Sequence, residues 1–328
     1  MKPLQTLITA LLLFTLLATG TGCSSKPHPL REKLEKIIRN KKADIGIAVV
    51  DLEDGDTLSI HGSQHYPMQS VFKFPLALAV LDQVDKGKLR LDQVVHIGQK
   101  YLFPSTWSPL RDRYPDEDAD LPLAELLAYT VSQSDNNGCD ALFRILGGTG
   151  KVNEYVHGLG IKDMSIAATE EEMSQGWEVQ YLNWSTPRAA AQLLEKMYAT
   201  DILSKKSREF LYRLMVETST GPNRIKGMLP PGAEVAHKTG TGGFNNDDNA
   251  GDMMLSATND IGIMKLPNGH HVILTVFVTG SMEGYDPKLK KPEEIEKKIN
   301  ETNEKLIAEI ARATWDYFLS RPGQTHKN

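Results

Sequence analysis

Cysteine is nearly absent, with only Cys23 and Cys139 in 328 residues. An internal disulfide would need Cys23, so the fold is expected to rest on its hydrophobic core rather than on a covalent staple. Cys139 sits beside Asn137, Gly138 and Asp140, none of which is a base that could activate a thiol. It reads as a buried structural cysteine. A basic stripe is missing too, and the net charge is −5. Nothing here attracts polyanions, which argues against nucleic-acid binding. Repeats and low-complexity tracts are absent, as is an apolar run long enough to span a bilayer. The early apolar stretch, Leu7 to Ala18 behind Lys2, reads instead as a secretory signal over residues 1–22. Small residues at Gly20 to Gly22 fit either lipidation of Cys23 or ordinary cleavage nearby. Export to the periplasm is the expectation, with a lipid anchor at Cys23 as one of the two routes.

What is present is an ordinary globular composition, 40% hydrophobic and 24% charged, enough to bury a sizeable core. Leu30, Leu34, Ile37 and Ile38 recur at helical spacing. Ile45 to Val50 and Thr57 to Ile60 flank Asp54-Gly55 and predict a hairpin. A second hairpin is expected where Ile261-Gly262-Ile263 and Val272 to Val278 flank Pro267-Asn268-Gly269. Ile295, Ile299, Leu306, Ile310 and Tyr317 mark a terminal helix over about 293–319. Between them the patterns predict helices over 71–81, 122–131, 186–198 and 207–215. The fold class is therefore α+β. An antiparallel sheet flanked by terminal helices, from residues 24–66 and 217–328, would carry an inserted all-helical domain over 67–216. The irregular stretch 168–184 is long for a connection, and such loops usually serve function.

Three short motifs carry chemistry. Ser70-Val71-Phe72-Lys73 puts a hydroxyl and an amine on one face at a helix start. Ser-x-x-Lys alone arises by chance about once per chain of this size, but Lys73 lies among Val71, Phe72, Phe74, Leu76 and Leu78. An amine buried there needs a polar partner. Ser134-Asp135-Asn136 interrupts two helical stretches, and supplies a hydroxyl for proton relay and a carboxamide to hold an amide. Lys238-Thr239-Gly240-Thr241-Gly242 follows the short strand Glu234 to His237. Its hydroxyls and lysine suit a carboxylate, and its glycines allow close backbone approach. Each motif is common alone. Together and in this order they are not.

With this set the sequence resembles the penicillin-recognising serine enzymes, over nearly the whole mature chain. The resemblance implies a serine β-lactamase of class A, with a D-alanyl-D-alanine peptidase or a non-hydrolytic β-lactam sensor as rivals. What separates them is a base that activates water on the acyl-enzyme. Glu170 lies 36 residues after Ser134 and 68 before Lys238, the spacing of the class A Ω-loop glutamate, with Glu171 as runner-up. Asn183 follows thirteen residues after Glu170, where the resemblance implies a partner for Asp140 that locks the loop. Ser174 stands where most of the family has an asparagine that helps to hold the water. That departure, Gln69 before Ser70, and the phrases Val131–Asn137 and His237–Gly242 look like the PER- and VEB-type branch, in which bulky cephalosporins are plausible substrates. The insertion after the strand, residues 243–256, fits a remodelled rim.

The resemblance further implies roles for single residues. Ser70 would be the nucleophile, with Lys73 or Glu170 taking its proton. Ser134 would relay a proton, and Asn136, Lys238, Thr239, Thr241 and Arg224 would bind substrate. Trp107 would be a wall of the cleft, and the backbone N–H groups of Ser70 and Thr241 an oxyanion hole. No cofactor is implied. No metal is expected either, because His61 and His65 are expected in a turn and His270-His271 points to opposite faces of a strand. The implied partner is a β-lactam antibiotic, bound by a monomer with no protein partner.

Overall fold

The computed structural model describes residues 28–245 and 254–321. The signal segment, Cys23 and most of the 243–256 insertion lie outside these residues. The main sheet is antiparallel and contains β1 (Asp44–Asp51), β2 (Thr57–Ile60), β3 (Glu234–Thr241), β4 (Met254–Lys265) and β5 (His271–Ser281), in the order β2-β1-β5-β4-β3. The pair Phe244–Asn245 adds a short sixth strand on β4. Both expected hairpins form, and Lys238 to Thr241 lie within β3 itself rather than beyond it.

The helices that matter for the site are α1 (Pro29–Ile38), α2 (Lys73–Asp85), α3 (Leu123–Ser132), α4 (Asn136–Leu146), α5 (Pro187–Ala199), α6 (Lys205–Val216) and α7 (Pro292–Leu319). Proline at the first helical position starts α1, α5 and α7, where its missing N–H would have no partner anyway. Side chains alternate across the sheet. Ile47, Val49, Leu274 and Val276 pack with Leu34 of α1 and Ile310 and Trp315 of α7. Ala48, Ile273 and Phe277 face the other way, into a core shared with Leu78 of α2 and Leu193 of α5. Both faces are covered, so β1 and β5 read as continuous apolar runs. Each fully buried aliphatic or aromatic side chain there contributes about 1.5–3 kcal/mol.

The region between the two halves of the sheet is mainly helical. It also carries Val94–Ile97 paired with Ala119–Pro122, and a small sheet of Tyr66–Pro67, Trp184–Ser185 and Met164–Ser165. Strands of two to four residues are too short to leave a period. The helix expected over 71–81 begins differently: a 3-10 turn, Gln69–Phe72, leads into α2 at Lys73.

The register of the sheet fixes what lies at each end. Thr241 pairs with Thr258, Thr258 with Val278 and Val278 with Ile45. At the opposite end Asp51 pairs with Val272. Here Asp51, Asp54 and His270 offer ligand-type atoms within 4.8 Å of one another. The Arg321 guanidinium lies 3.9 Å from Asp51 and 3.6 Å from Asp54 and supplies countercharge. That cluster is at the other end of the sheet from the three motifs.

Candidate active site

Ser70 sits in the 3-10 turn, just after Gln69, whose φ is +48°. That left-handed backbone is unusual for a side chain with a Cβ. It kinks the chain so that Ser70 faces the cleft while Lys73 begins α2 fully buried. The buried amine has its partners. Lys73 Nζ donates to Ser70 Oγ at 2.8 Å, to the Ser134 carbonyl at 2.8 Å and to Asn136 Oδ1 at 2.5 Å. It is also paired with Glu170 Oε1 at 2.8 Å.

The second motif is held by its middle residue. Asp135 caps α4 by accepting from Gly138 N, and it also accepts from Ser108 Oγ and Leu110 N. Burial raises the proton affinity of this carboxyl, against the pull of those donors. The bonds fasten the 103–110 loop to α4, and Trp107 Nε1 adds a bond to the Gln133 carbonyl. Ser134 has a φ of +60°, which exposes both its ends: Lys73 takes the carbonyl, and Lys238 Nζ donates to the hydroxyl at 2.9 Å. Asn136 is engaged at both ends, since its amide donates to Thr106 Oγ1 at 2.6 Å.

The third motif lies on β3, an edge strand. Gly242 N donates to the Ala257 carbonyl, and N–H groups alternate along an antiparallel pair. The Thr241 N–H therefore points away from β4, toward the cleft. Gly240 has no room for a side chain, because a Cβ would meet the Met68 carbonyl. This glycine lets β3 pass directly over the turn that carries Ser70. Lys238 is fully buried, and burial, with the charge of Lys73 adding, holds its pKa well below the ordinary lysine range. Arg224 is buried behind the strand. It donates to the Gly240 and Asn259 carbonyls and to Thr241 Oγ1 at 2.7 Å, and pairs with Glu304 at 3.1 Å.

The three consecutive glutamates separate cleanly. Thr169 and Glu172 form a capping box at the start of the one-turn helix Glu170–Met173. That leaves Glu171 exposed and turns Glu170 inward, 3.4 Å from Ser70 Oγ. Asp140, from α4, accepts from the backbone N–H groups of Glu170 and Glu171 at 2.8 and 2.9 Å. Burial lifts its pKa to about 6. The expected pairing of Asp140 with Asn183 is corrected here. Asn183 instead spans the loop's own backbone, accepting from Ala167 and Ala168 N and donating to the Ala168 carbonyl. Two acceptors serve two separate stretches of loop, so neither needs the other. Ser174 donates to the Glu171 carbonyl at 2.6 Å, and so closes its own helical turn.

These elements surround a cleft of about 850 Å³. Ser70, Trp107, Ser134, Asn136, Glu170, Ser174, Thr239 and Thr241 line it. Lys73, Lys238 and Arg224 do not line it, and neither do Asp140 and Asn183. Lys73, expected to take the Ser70 proton, and Lys238 and Arg224, expected at the substrate, are buried one layer behind and contact Ser70, Ser134 and Thr241 respectively. The family model described as the β-lactamase enzyme family matches residues 29–318. The chain belongs to the class A β-lactamases. It is 42% identical to β-lactamase VEB-1 of Pseudomonas aeruginosa, over 95% of this chain and 97% of that one. To the extended-spectrum β-lactamase PER-1 of the same organism it is 37% identical, over 97% and 96%. Among solved structures it is similar to a β-lactamase from Chitinophaga pinensis DSM 2588, with 49% identity, a TM-score of 0.79, and 89% of this chain and all of that one covered.

Three further contacts of this β-lactamase went unforeseen. Thr106 holds Asn136, the Thr220 and Thr239 hydroxyls lie 2.6 Å apart, and Gln69 Nε2 donates to Gln180 Oε1 at 2.6 Å. The last joins the strained turn to the loop that carries Glu170. The capping box Thr169-x-x-Glu172 was a usable signal, because it fixes which glutamate turns inward.

Proposed function

We propose that the enzyme hydrolyses cephalosporins through an acyl ester on Ser70. The observation that carries this reading is Lys73 Nζ, 2.8 Å from both Ser70 Oγ and Glu170 Oε1. Thr239 and Thr241 receive the substrate carboxylate, with the charges of Lys238 and Arg224 behind them, and Asn136 holds the side-chain amide. Backbone N–H groups of Ser70 and Thr241 stabilise the oxyanion. Ser70 Oγ attacks the lactam carbonyl, its proton going to Glu170 through water, or to Lys73 once that ammonium has handed its own proton to Glu170 across their 2.8 Å contact. The C–N bond breaks, and Ser134 passes a proton to the leaving nitrogen, taking in return, by way of Lys73, the proton released from Ser70, so that Glu170 is again a carboxylate. Glu170 then takes a proton from water as that water attacks the ester, releasing the ring-opened acid and restoring Ser70.

The cephalosporin preference draws support from the cleft volume of about 850 Å³, from Trp107 in its lining, and from the extended-spectrum designation of PER-1. Lys2 followed by the apolar stretch Leu7 to Ala18 supports export to the periplasm, with Cys23 either lipidated or incidental. In this reading residues 24–66 and 217–328 form one unit and 67–216 the other, in a monomer. The test is turnover of a chromogenic cephalosporin by the protein and by Glu170→Gln, with intact mass taken seconds and hours after mixing. We expect sustained turnover by the unaltered enzyme and a persistent adduct on the variant. A variant that turns over normally moves the base to another residue.

A further inference from the structure

Glu170 stands between two cavities. One is the cleft. The other, about 210 Å³, lies between the Glu170–Ser174 turn, the start of α4 and the 103–106 loop. Glu170, Thr106, Asn136, Ser174 and Gln175 line both, whereas Ser70 lines the cleft alone. Apart from Phe103, every side chain lining the smaller cavity is polar. Ser105, Glu171, Ser174 and Gln175 on its rim are exposed, so it opens to solvent on its own side. A polar space of this size is a place for ordered water.

The proposed reaction makes that arrangement consequential. Once Ser70 is acylated, the acyl group fills the cleft and shuts Glu170 off from solvent on that side. Each turnover nevertheless consumes one water at Glu170. We infer that the smaller cavity is the route by which the hydrolytic water reaches Glu170, with Ser105 and Ser174 at its mouth. This rests on the acyl-enzyme reading above. The short side chain at Ser174 keeps the passage open, and its hydroxyl is turned to the Glu171 carbonyl rather than across the opening. No bond to the protein breaks or forms on this route; it carries solvent only.

The test obstructs the mouth from two opposite walls, with Ser105→Leu and Ser174→Leu. Acylation and deacylation of a cephalosporin are timed separately by rapid quench and intact mass. Deacylation should slow about tenfold or more while acylation stays within about twofold, since acylation starts with the cleft open to solvent and only deacylation must draw in a water after the acyl group has closed it. Ser105→Ala, short and outside the cleft, should deacylate at the unaltered rate. The inference is overturned if both leucine variants deacylate normally, if acylation falls in step with deacylation, or if Ser105→Ala slows as much as Ser105→Leu. Failure of the acyl-enzyme reading would show elsewhere, as an unaltered protein that never forms the adduct.

Discussion

Lys73 and Glu170 form a 2.8 Å ion pair whose side chains are 0% and 10% exposed. One comes from the start of α2 and the other from the loop laid over it, so the pair joins two parts of the site. It also links the two proton carriers of the proposed reaction through a single contact. Removing one partner leaves the other charge buried without its counterion, which is the costly way to break such a pair.

For Lys73→Ala we therefore expect acylation to fall by about 10²–10⁴, the range for losing a positioned proton carrier. The loop carrying Glu170 should loosen as well. Burst kinetics report the first effect, and protease sensitivity of the 168–184 loop the second.

Asp140 sets a pH dependence. Its pKa is raised from 3.8 to about 6, chiefly by burial. Between those values the folded chain holds a proton that the unfolded chain does not. Its contribution to stability is thus full below 3.8 and lost as pH rises through 6. Activity should run the opposite way, because only the ionised carboxylate accepts from both Glu170 and Glu171. Deacylation should decline below about pH 6, and in Asp140→Asn that decline should shift or flatten. A profile unchanged in the variant would remove Asp140 as its source.

Arg224 is expected to resist conservative replacement. Its fork serves two carbonyls, the Thr241 hydroxyl and Glu304, and an ammonium cannot reproduce that geometry. Arg224→Ala should lower stability by about 3 kcal/mol through the stranded Glu304, and Arg224→Lys should recover only part of it. KM for anionic substrates should rise in both, which steady-state kinetics would show.

Gly240→Ala should force β3 away from the Ser70 turn, since the new methyl meets a backbone carbonyl. Overpacking of that kind costs about 1–3 kcal/mol. The prediction is a lower melting temperature with kcat/KM falling more steeply than expression or folding would explain.

Much of this was legible in the chain. The hairpins declared themselves through Asp54-Gly55 and Asn268-Gly269, and α7 through its long apolar face. The three motifs are contiguous, so their chemistry can be read locally. The contacts that went unread join residues far apart: Gln69 with Gln180, Thr106 with Asn136, Thr220 with Thr239. A hydrogen bond between distant side chains leaves no period or spacing behind. Burial was hidden for the same reason. Lys238 and Arg224 read as groups that touch substrate until the sheet closes over them, and Asn183 looks like a partner for Asp140 until both are found spending their bonds on backbone.

Most sheet proteins blunt their outer strands with prolines, bulges or inward charges, because an open ladder recruits any extended chain, another copy included. Here β3 must leave its outer ladder open, for that is where Thr241 turns its N–H to the cleft. The proposed reaction therefore takes place where a sheet is most prone to stray pairing. Trp107 and the loop that carries Glu170 line the same cleft, across from this ladder. A short extended peptide mimic that slips between them would find a docking edge already built, and would block the enzyme by completing its sheet.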